Sequence, residues 1–410
     1  MEKISDRLEE RTARGIANAI GSLISDGHLE PGESLPTVRA LAAHLAVGPN
    51  TVMDAWRILR SNGAIVTDRR RGTTVRIPIT GFGGYHWEVP IQPGTIEFDL
   101  STGTPDNELL PPVGSVLHGL KPDLSVSSYR DAHVLAELEK ELRRRWPYEP
   151  DSITIVDGAL DALDRVVNEL VDPGNIVVVE DPTFPPILAM LELAGARIIG
   201  VPLDQHGVRL APLAEAMTAS PRAIFLQPSG HNPTGSNTTR ERAHAIAHLI
   251  DDSSTIIVED DHASMVAGVS IESVGQVSPD RVIHIRSFSK SHGPDLRIAA
   301  IGGPSAFVGK VVRRRQLGPS WTSRLIQRIL LGMLTDPASE AHVAKAADVY
   351  RQRRLELRTR LAQHGIDVIA GVGLNMWIPV GDEQRAVVAL AAHGIGVAPG
   401  RPFRAAESRE

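Results

Sequence analysis

Lys290 stands in the run Arg286-Ser287-Phe288-Ser289-Lys290-Ser291-His292-Gly293-Pro294-Asp295-Leu296-Arg297. The run follows a short apolar stretch, Val282-Ile283-His284-Ile285, whose composition predicts a buried strand. An amine held at a strand end can condense with an aldehyde to form a Schiff base. Small hydroxyls around it, Ser287 and Ser289, and an arginine seven positions on, Arg297, can hold a phosphate close by. Pyridoxal 5'-phosphate carries both groups.

Such a lysine needs a frame to hold it. Apolar strand-like runs recur at Ile176–Val179, Ile198–Val201, Ala223–Leu226, Ile256–Val258, Val282–Ile285 and Ile298–Ile301, with helical stretches such as Arg240–Ile250 between most of them. Continuous apolar runs alternating with helices predict a mostly parallel sheet covered on both faces. Ligands of such sheets bind beyond the carboxyl ends of the strands. Phe184 follows the first run, Asn232 the third, Asp260 the fourth and Lys290 the fifth. Four scattered residues are thereby expected at one edge.

The N-terminal part has a different rhythm. Ile16, Ile20, Leu23 and Ile24 lie at helical spacing within residues 7–26. Val38, Leu41, Ala42 and Leu45 repeat the spacing after Pro36-Thr37, and Val52, Ala55, Trp56 and Leu59 repeat it after the turn Gly48-Pro49, with Asn50 as the expected N-cap. Asn62-Gly63 should stop the third helix. Two short strands follow, Ala64–Thr67 and Thr73–Ile77, joined by Asp68-Arg69-Arg70-Arg71-Gly72. Three helices and a two-stranded wing make a winged helix-turn-helix. The third helix leaves Asn50, Thr51, Met53, Asp54 and Arg57 off its core face. Residues 78–95, with three prolines and four glycines, read as a linker.

Composition bounds the reading. The chain has 410 residues, enough for two or more domains, and is 42% hydrophobic and 22% charged. No apolar run reaches a membrane span of roughly 18 residues, and the first residues lack a signal-peptide core. The absence of cysteine excludes disulfides, thiolate metal sites and cysteine nucleophiles, and fits a cytoplasmic protein. No metal site is expected. Net charge is −6, but residues 1–77 hold 11 Lys+Arg against 9 Asp+Glu, so positive charge is gathered where a DNA contact would need it.

Two resemblances sharpen these expectations. The stretch from His28-Leu29-Glu30-Pro31-Gly32 through Leu35-Pro36-Thr37-Val38-Arg39-Ala40-Leu41-Ala42 and Gly48-Pro49-Asn50-Thr51-Val52 to Arg71-Gly72-Thr73 resembles a GntR-type winged helix. That resemblance implies contacts to double-stranded operator DNA from Thr37, Arg39, Asn50, Thr51 and the wing residues Arg71 and Gly72. The segments Asp181-Pro182-Thr183-Phe184-Pro185, Ser229-Gly230-His231-Asn232-Pro233-Thr234-Gly235, Glu259-Asp260-Asp261 and Ser287-Phe288-Ser289-Lys290 follow the order and spacing of fold-type I aminotransferases. This second resemblance implies an internal aldimine of pyridoxal 5'-phosphate on Lys290. It further implies Asp260 at the pyridine nitrogen, Asn232 at the ring hydroxyl and Phe184 stacked on the ring. Ser287, Ser289, Arg297 and the backbone of Gly158, Ala159 and Leu160 would hold the phosphate. Tyr129 is the position that reaches the partner subunit's phosphate, which implies a homodimer. Head and body together resemble the MocR-type regulators, with domains at 1–77 and 96–410.

The departures from the pattern are specific. His262 replaces the tyrosine that usually bonds the ring hydroxyl. Asp157 places an anion where serine or threonine commonly meets the phosphate. Val134 stands for a usual glycine and Pro49 for a usual arginine or other polar residue. The sequence given stops at Glu410, before the family's substrate-carboxylate arginine, and neither Arg404 nor Arg409 can be assigned that role. The expected function is therefore a DNA-binding regulator that senses an amino compound, or the cofactor itself, with little or no complete transamination. An active aminotransferase with an accessory head, and a repressor that has lost the cofactor, are the alternatives.

Overall fold

The computed structural model describes residues 1–8, 10–25, 28–30, 32–61, 65–68, 72–75, 97–120 and 132–405. The chain divides into two compact units, Met1–Glu88 and Val89–Glu410. The expected linker, Asn62-Gly63, Arg71, Tyr129 and Arg409 lie outside the described residues.

The first unit contains α1 (Glu2–Asp6), α2 (Ala13–Ser25), α3 (Val38–Leu45), α4 (Pro49–Ser61) and an antiparallel pair, β1 (Ile65–Asp68) and β2 (Gly72–Val75). The periodic apolar residues meet in one core. Ile16, Ile20, Leu23, Leu41, Val52 and Trp56 are buried together, and Ile65 and Val75 of the strand pair join them. The Thr37 hydroxyl accepts from the Ala40 amide at 3.2 Å and so starts α3. Ala46 takes a left-handed conformation, φ 51°, and its amide returns to Ala42 and Ala43. That turn makes the sharp exit a helix-turn-helix needs. The cap expected at Asn50 is not formed. α4 begins at Pro49, because proline in the first turn costs no helical hydrogen bond, and Asn50 lies inside the helix. The wing closes through Gly72 at φ 79°, a conformation that disfavours any side chain. The segment before α3 joins the wing's edge, with Leu35 N donating to Thr73 O at 2.8 Å and Val75 N to Glu33 O at 2.8 Å.

The second unit is built on an eight-stranded sheet. Its strands are β4 (Ser152–Val156), β5 (Ile176–Asp181), β6 (Arg197–Asp204), β7 (Gly207–Val208), β8 (Ala223–Leu226), β9 (Ile256–Asp261), β10 (Val282–Ser287) and β11 (Ala299–Gly303), in the spatial order β4-β11-β10-β9-β8-β5-β6-β7. The strands β10, β9, β8, β5 and β6 are parallel, while β11 runs antiparallel to both its neighbours. A separate parallel pair joins β3 (Phe98–Leu100) to β12 (Ile395–Val397). Side chains on successive residues of β5 point to opposite faces. Val177 and Val179 pack with the helices Ala159–Leu170 and Pro185–Leu193, and Val178 packs with Leu210–Met217 and Arg240–Ile250. Both faces are thus covered, which is why these strands read as unbroken apolar runs. Five parallel strands then place their carboxyl ends, and whatever follows each, along one edge.

Candidate functional site

At that edge β9 presents Asp260, 3% exposed. Its Oδ2 accepts from Gln227 Nε2 at 3.0 Å, while Oδ1 is buried with no hydrogen-bond partner among the described residues. Burial drives its proton affinity up to about 7, against the pull of Gln227. Gln227, just beyond β8, also accepts from Asn232 N at 2.7 Å, and its own amide donates to the buried Glu180 at the end of β5 at 2.6 Å. One glutamine therefore fixes Asp260, Asn232 and Glu180 relative to each other. Sequence reasoning passed over Gln227, although its place immediately after the Ala223–Leu226 run was the available signal.

His262 lies with Nδ1 3.9 Å from Asp260 Oδ2, and neither ring nitrogen makes a hydrogen bond among the described residues. Burial first, then the charge of Lys290, lowers its pKa to about 4, so the imidazole is neutral at pH 7. Lys290 sits in the short helix Ser289–His292 that follows β10. Its amine donates to the carbonyl of Gly103. Burial lowers its pKa, opposed by the charge of Asp260. A β-carbon on Gly103 would stand 3.7 Å from Lys290 Nζ and 3.1 Å from Asn375 Oδ1, so two residues that the motif spacing gave no reason to select also stand near Lys290.

Beneath Asp260 lies a second buried layer. His284 Nδ1 is 2.7 Å from Glu259 Oε2, and its Nε2 is 3.6 Å from Asp261 Oδ2. Asp261 also accepts from Ser264 N at 3.0 Å, starting the helix Ser264–Ala267. Burial favours a neutral His284, but the two carboxylates outweigh it and raise its pKa. This layer stiffens the strand ends that carry Asp260.

A third group forms the phosphate side. Gly158 precedes the helix Ala159–Leu170 at φ 104°, and no side chain caps that helix. A β-carbon there would come within 3.2 Å of the Arg297 guanidinium. Arg297 itself is held at φ 46°, unusual for a residue with a side chain. An arginine beside an uncapped helix start is an anion site in charge. Ser287 and Ser289 stand at the β10 end, with Ser289 N donating to Ser287 Oγ at 3.3 Å. Asp157 is already engaged: Arg315 and Thr322 bond its carboxylate at 3.1 and 2.6 Å. Phe184 precedes the helix Pro185–Leu193, partly buried against the core. Arg404 Nε lies 3.5 Å from Asp181 Oδ1.

In the head, Thr37, Arg39 and Asn50 are exposed and Thr51 is half-buried. Met53 is 47% exposed beside them on α4. Arg57, largely in solvent, pairs with the half-exposed Asp54 at 2.9 Å. These residues lie around the starts of α3 and α4, where helix amides also favour phosphate.

Residues 95–409 match the family of aminotransferase class I and II, and residues 12–75 match the bacterial regulatory proteins of the gntR family. The chain is 33% identical to the vitamin B6 salvage pathway transcriptional repressor PtsJ of Salmonella typhimurium, over 97% of this chain and 92% of that protein. The chain belongs to the MocR-type transcription regulators. It is also 24% identical to the pyridoxine biosynthesis transcriptional regulator PdxR of Corynebacterium glutamicum, over 83% of this chain and 76% of that one. The sensor fold superimposes on LysN, an α-aminoadipate aminotransferase of Thermus thermophilus complexed with N-(5'-phosphopyridoxyl)-L-leucine, with a TM-score of 0.67. That match covers 76% of this chain and 84% of LysN at 24% identity. The regulator is a two-domain protein, a GntR head on a fold-type I body, and the cofactor implied by its body is pyridoxal phosphate. The pocket fits that group. It offers a buried carboxylate with one oxygen unpartnered among the described residues, a neutral imidazole, a lysine amine and an uncapped helix start beside an arginine. No helix among the described residues is long and apolar enough to cross a membrane.

Proposed function

We propose that Lys290 is the attachment point of pyridoxal phosphate in this regulator, and that occupancy of the pocket sets how tightly the head holds its operator. The observation that carries the reading is Asp260. Its Oδ1 is buried, has no hydrogen-bond partner among the described residues and lies at the same sheet edge as Lys290. A carboxylate left so is costly unless a cation meets it. When bound, the cofactor supplies an aldehyde for the lysine amine and a pyridine nitrogen that takes a proton.

The remaining residues divide the work of holding it. Lowering of the Lys290 pKa by burial keeps more of the amine unprotonated and nucleophilic near pH 7. Asp260 keeps a proton on the ring nitrogen. Asn232, oriented through Gln227, and neutral His262 bond the ring hydroxyl. Phe184 covers one ring face. Arg297, Ser287, Ser289 and the amides of Gly158, Ala159 and Leu160 receive the phosphate. Tyr129 completes the phosphate site of a partner subunit in a homodimer. Thr37, Arg39, Asn50, Thr51, Arg71 and Gly72 contact operator DNA. The effector is an amino compound or the cofactor itself, working from the cytoplasm on a population of two DNA-binding states.

Replacing Lys290 tests this directly. Wild-type protein mixed with pyridoxal phosphate is expected to gain a near-visible absorption band and to retain the label after borohydride. Lys290→Ala should do neither, and its operator affinity should no longer respond to added cofactor. A variant that keeps both the band and the response would overturn the assignment.

A further inference from the structure

Arg315 is 1% exposed, yet it lies on neither the DNA surface nor the covalent site. It ends the helix Ser305–Gln316, and its guanidinium reaches the start of the helix Ala159–Leu170. Nη1 donates to Asp161 Oδ2 at 2.9 Å, and Nη2 donates to Asp157 Oδ2 at 3.1 Å and to Thr322 Oγ1 at 3.2 Å. Nε donates to the Ser320 carbonyl at 3.2 Å. Thr322 in turn donates to Asp157 Oδ1 at 2.6 Å. The Asp157 carboxylate is therefore held at both oxygens. Asp161 accepts also from the Asp157 amide at 3.1 Å and from Arg165 Nε at 3.0 Å.

Two carboxylates thus stand around Gly158, which starts a helix with no side-chain cap and lies beside the Arg297 guanidinium. A phosphate dianion entering there would meet the like charges of both carboxylates unless they are neutralised. Like charges brought close at a partly buried site oppose binding unless a cation answers them. Arg165, as well as Arg315, answers Asp161, whereas the Asp157 carboxylate has, among the described residues, only Arg315 and the Thr322 hydroxyl.

We propose that Arg315 is a positioning residue for the cofactor phosphate: by pinning and neutralising Asp157, with Thr322, it leaves the Gly158 helix start free to bind a dianion. The proposal rests on the assignment of that helix start to the phosphate. It explains how an aspartate is tolerated at a position that should repel the ligand.

The test compares pyridoxal phosphate with pyridoxal, which has the same aldehyde and ring but no phosphate. Apparent Kd is read from the Lys290-dependent absorption band in full-length protein. Arg315→Gln should weaken pyridoxal phosphate about tenfold or more, the size of one uncompensated charge, and leave pyridoxal within about twofold. Adding Asp157→Asn should restore most of the loss, because no charge is left to neutralise. Thr322→Val should show the same selectivity at about threefold, the size of one lost hydrogen bond, and serves if Arg315→Gln fails to fold. Equal losses for both aldehydes, or no rescue by Asp157→Asn, would reduce Arg315 to a helix-docking residue. Wild-type protein that takes up pyridoxal phosphate no better than pyridoxal would instead sink the phosphate assignment, and this proposal with it.

Discussion

Arg57 in the head and Lys290 in the sensor are both cations poised for an anion or a carbonyl, but their settings are opposite. The Arg57 side chain is 71% exposed and leans on Asp54, itself 49% exposed. Lys290 is half-buried, donates to a backbone carbonyl and feels Asp260 through protein rather than water. A charge in water costs little to keep, and its interactions are weak and screened by salt. A charge in the sensor pocket changes its own proton affinity instead. The head should therefore respond to ionic strength in small graded steps, and the sensor to pH and to ligand in large ones.

The harshest way to break this contrast is to unfold one side alone. Trp56 is 4% exposed at the centre of the head core. Trp56→Ala should cost about 3–5 kcal/mol of head stability. Operator binding should vanish in a gel-shift titration while the cofactor absorption band stays. Loss of both would show that the two units do not fold independently.

Asp260→Asn should come next in size and should act with opposite signs on the empty and the filled pocket. The folded-state pKa of Asp260 is raised from 3.8 to about 7. A carboxyl so raised binds a proton more tightly folded than unfolded, so stability falls as pH rises from about 4 to 7 and then stays low. Each pKa unit is about 1.4 kcal/mol, so the cofactor-free asparagine variant should exceed wild type by up to about 4 kcal/mol at pH 8 and match it at pH 4. Its affinity for pyridoxal phosphate should drop, since an amide cannot pair with a protonated ring nitrogen. Urea unfolding at the two pH values decides it; a variant less stable than wild type at pH 8 would mean Asp260 is already satisfied in the empty pocket.

The same contrast explains what the sequence made legible. The head core was readable because Ile16, Ile20, Leu41, Val52 and Trp56 declare themselves by spacing, and burial follows from that spacing alone. The sheet edge was readable for a similar reason, since apolar runs end where Asp260 and Lys290 begin. What stayed hidden were residues whose roles depend on contacts distant in sequence. Gln227 joins Asp260 across 33 positions, Gly103 meets Lys290 across 187, and Arg315 meets Asp157 across 158. No periodicity encodes such pairs. The Asn50 cap failed locally for the opposite reason: Pro49 could start the helix two residues earlier.

A smaller effect is expected from Arg39. It is exposed beside the Thr37 cap at the start of α3. If it meets a phosphate, Arg39→Ala should weaken every DNA alike and lower the salt slope by about one unit. If it reads a base, the loss should be about 1–3 kcal/mol and confined to one operator position. Affinity unchanged on all DNA would remove Arg39 from the interface.

Asp54→Asn should give the smallest effect, and it asks whether the head's ion pair is a brake. Asp54 and Arg57 are three residues apart on α4 and both exposed, so the pair itself contributes about 0.5 kcal/mol or less to stability. In the free head Asp54 occupies the guanidinium that a DNA phosphate would want, and its own charge repels that phosphate. Removing it should leave the thermal midpoint nearly unchanged and tighten binding to non-operator DNA about two- to threefold at low salt, with the gain fading as salt rises. Operator binding should gain by the same factor, so the ratio between the two stays fixed. If Asp54→Asn instead weakens operator DNA selectively, Asp54 is accepting a hydrogen bond from a base, as a carboxylate can from cytosine N4. The outer face of α4 would then read sequence through an acid, and its exposed charges would no longer be interchangeable.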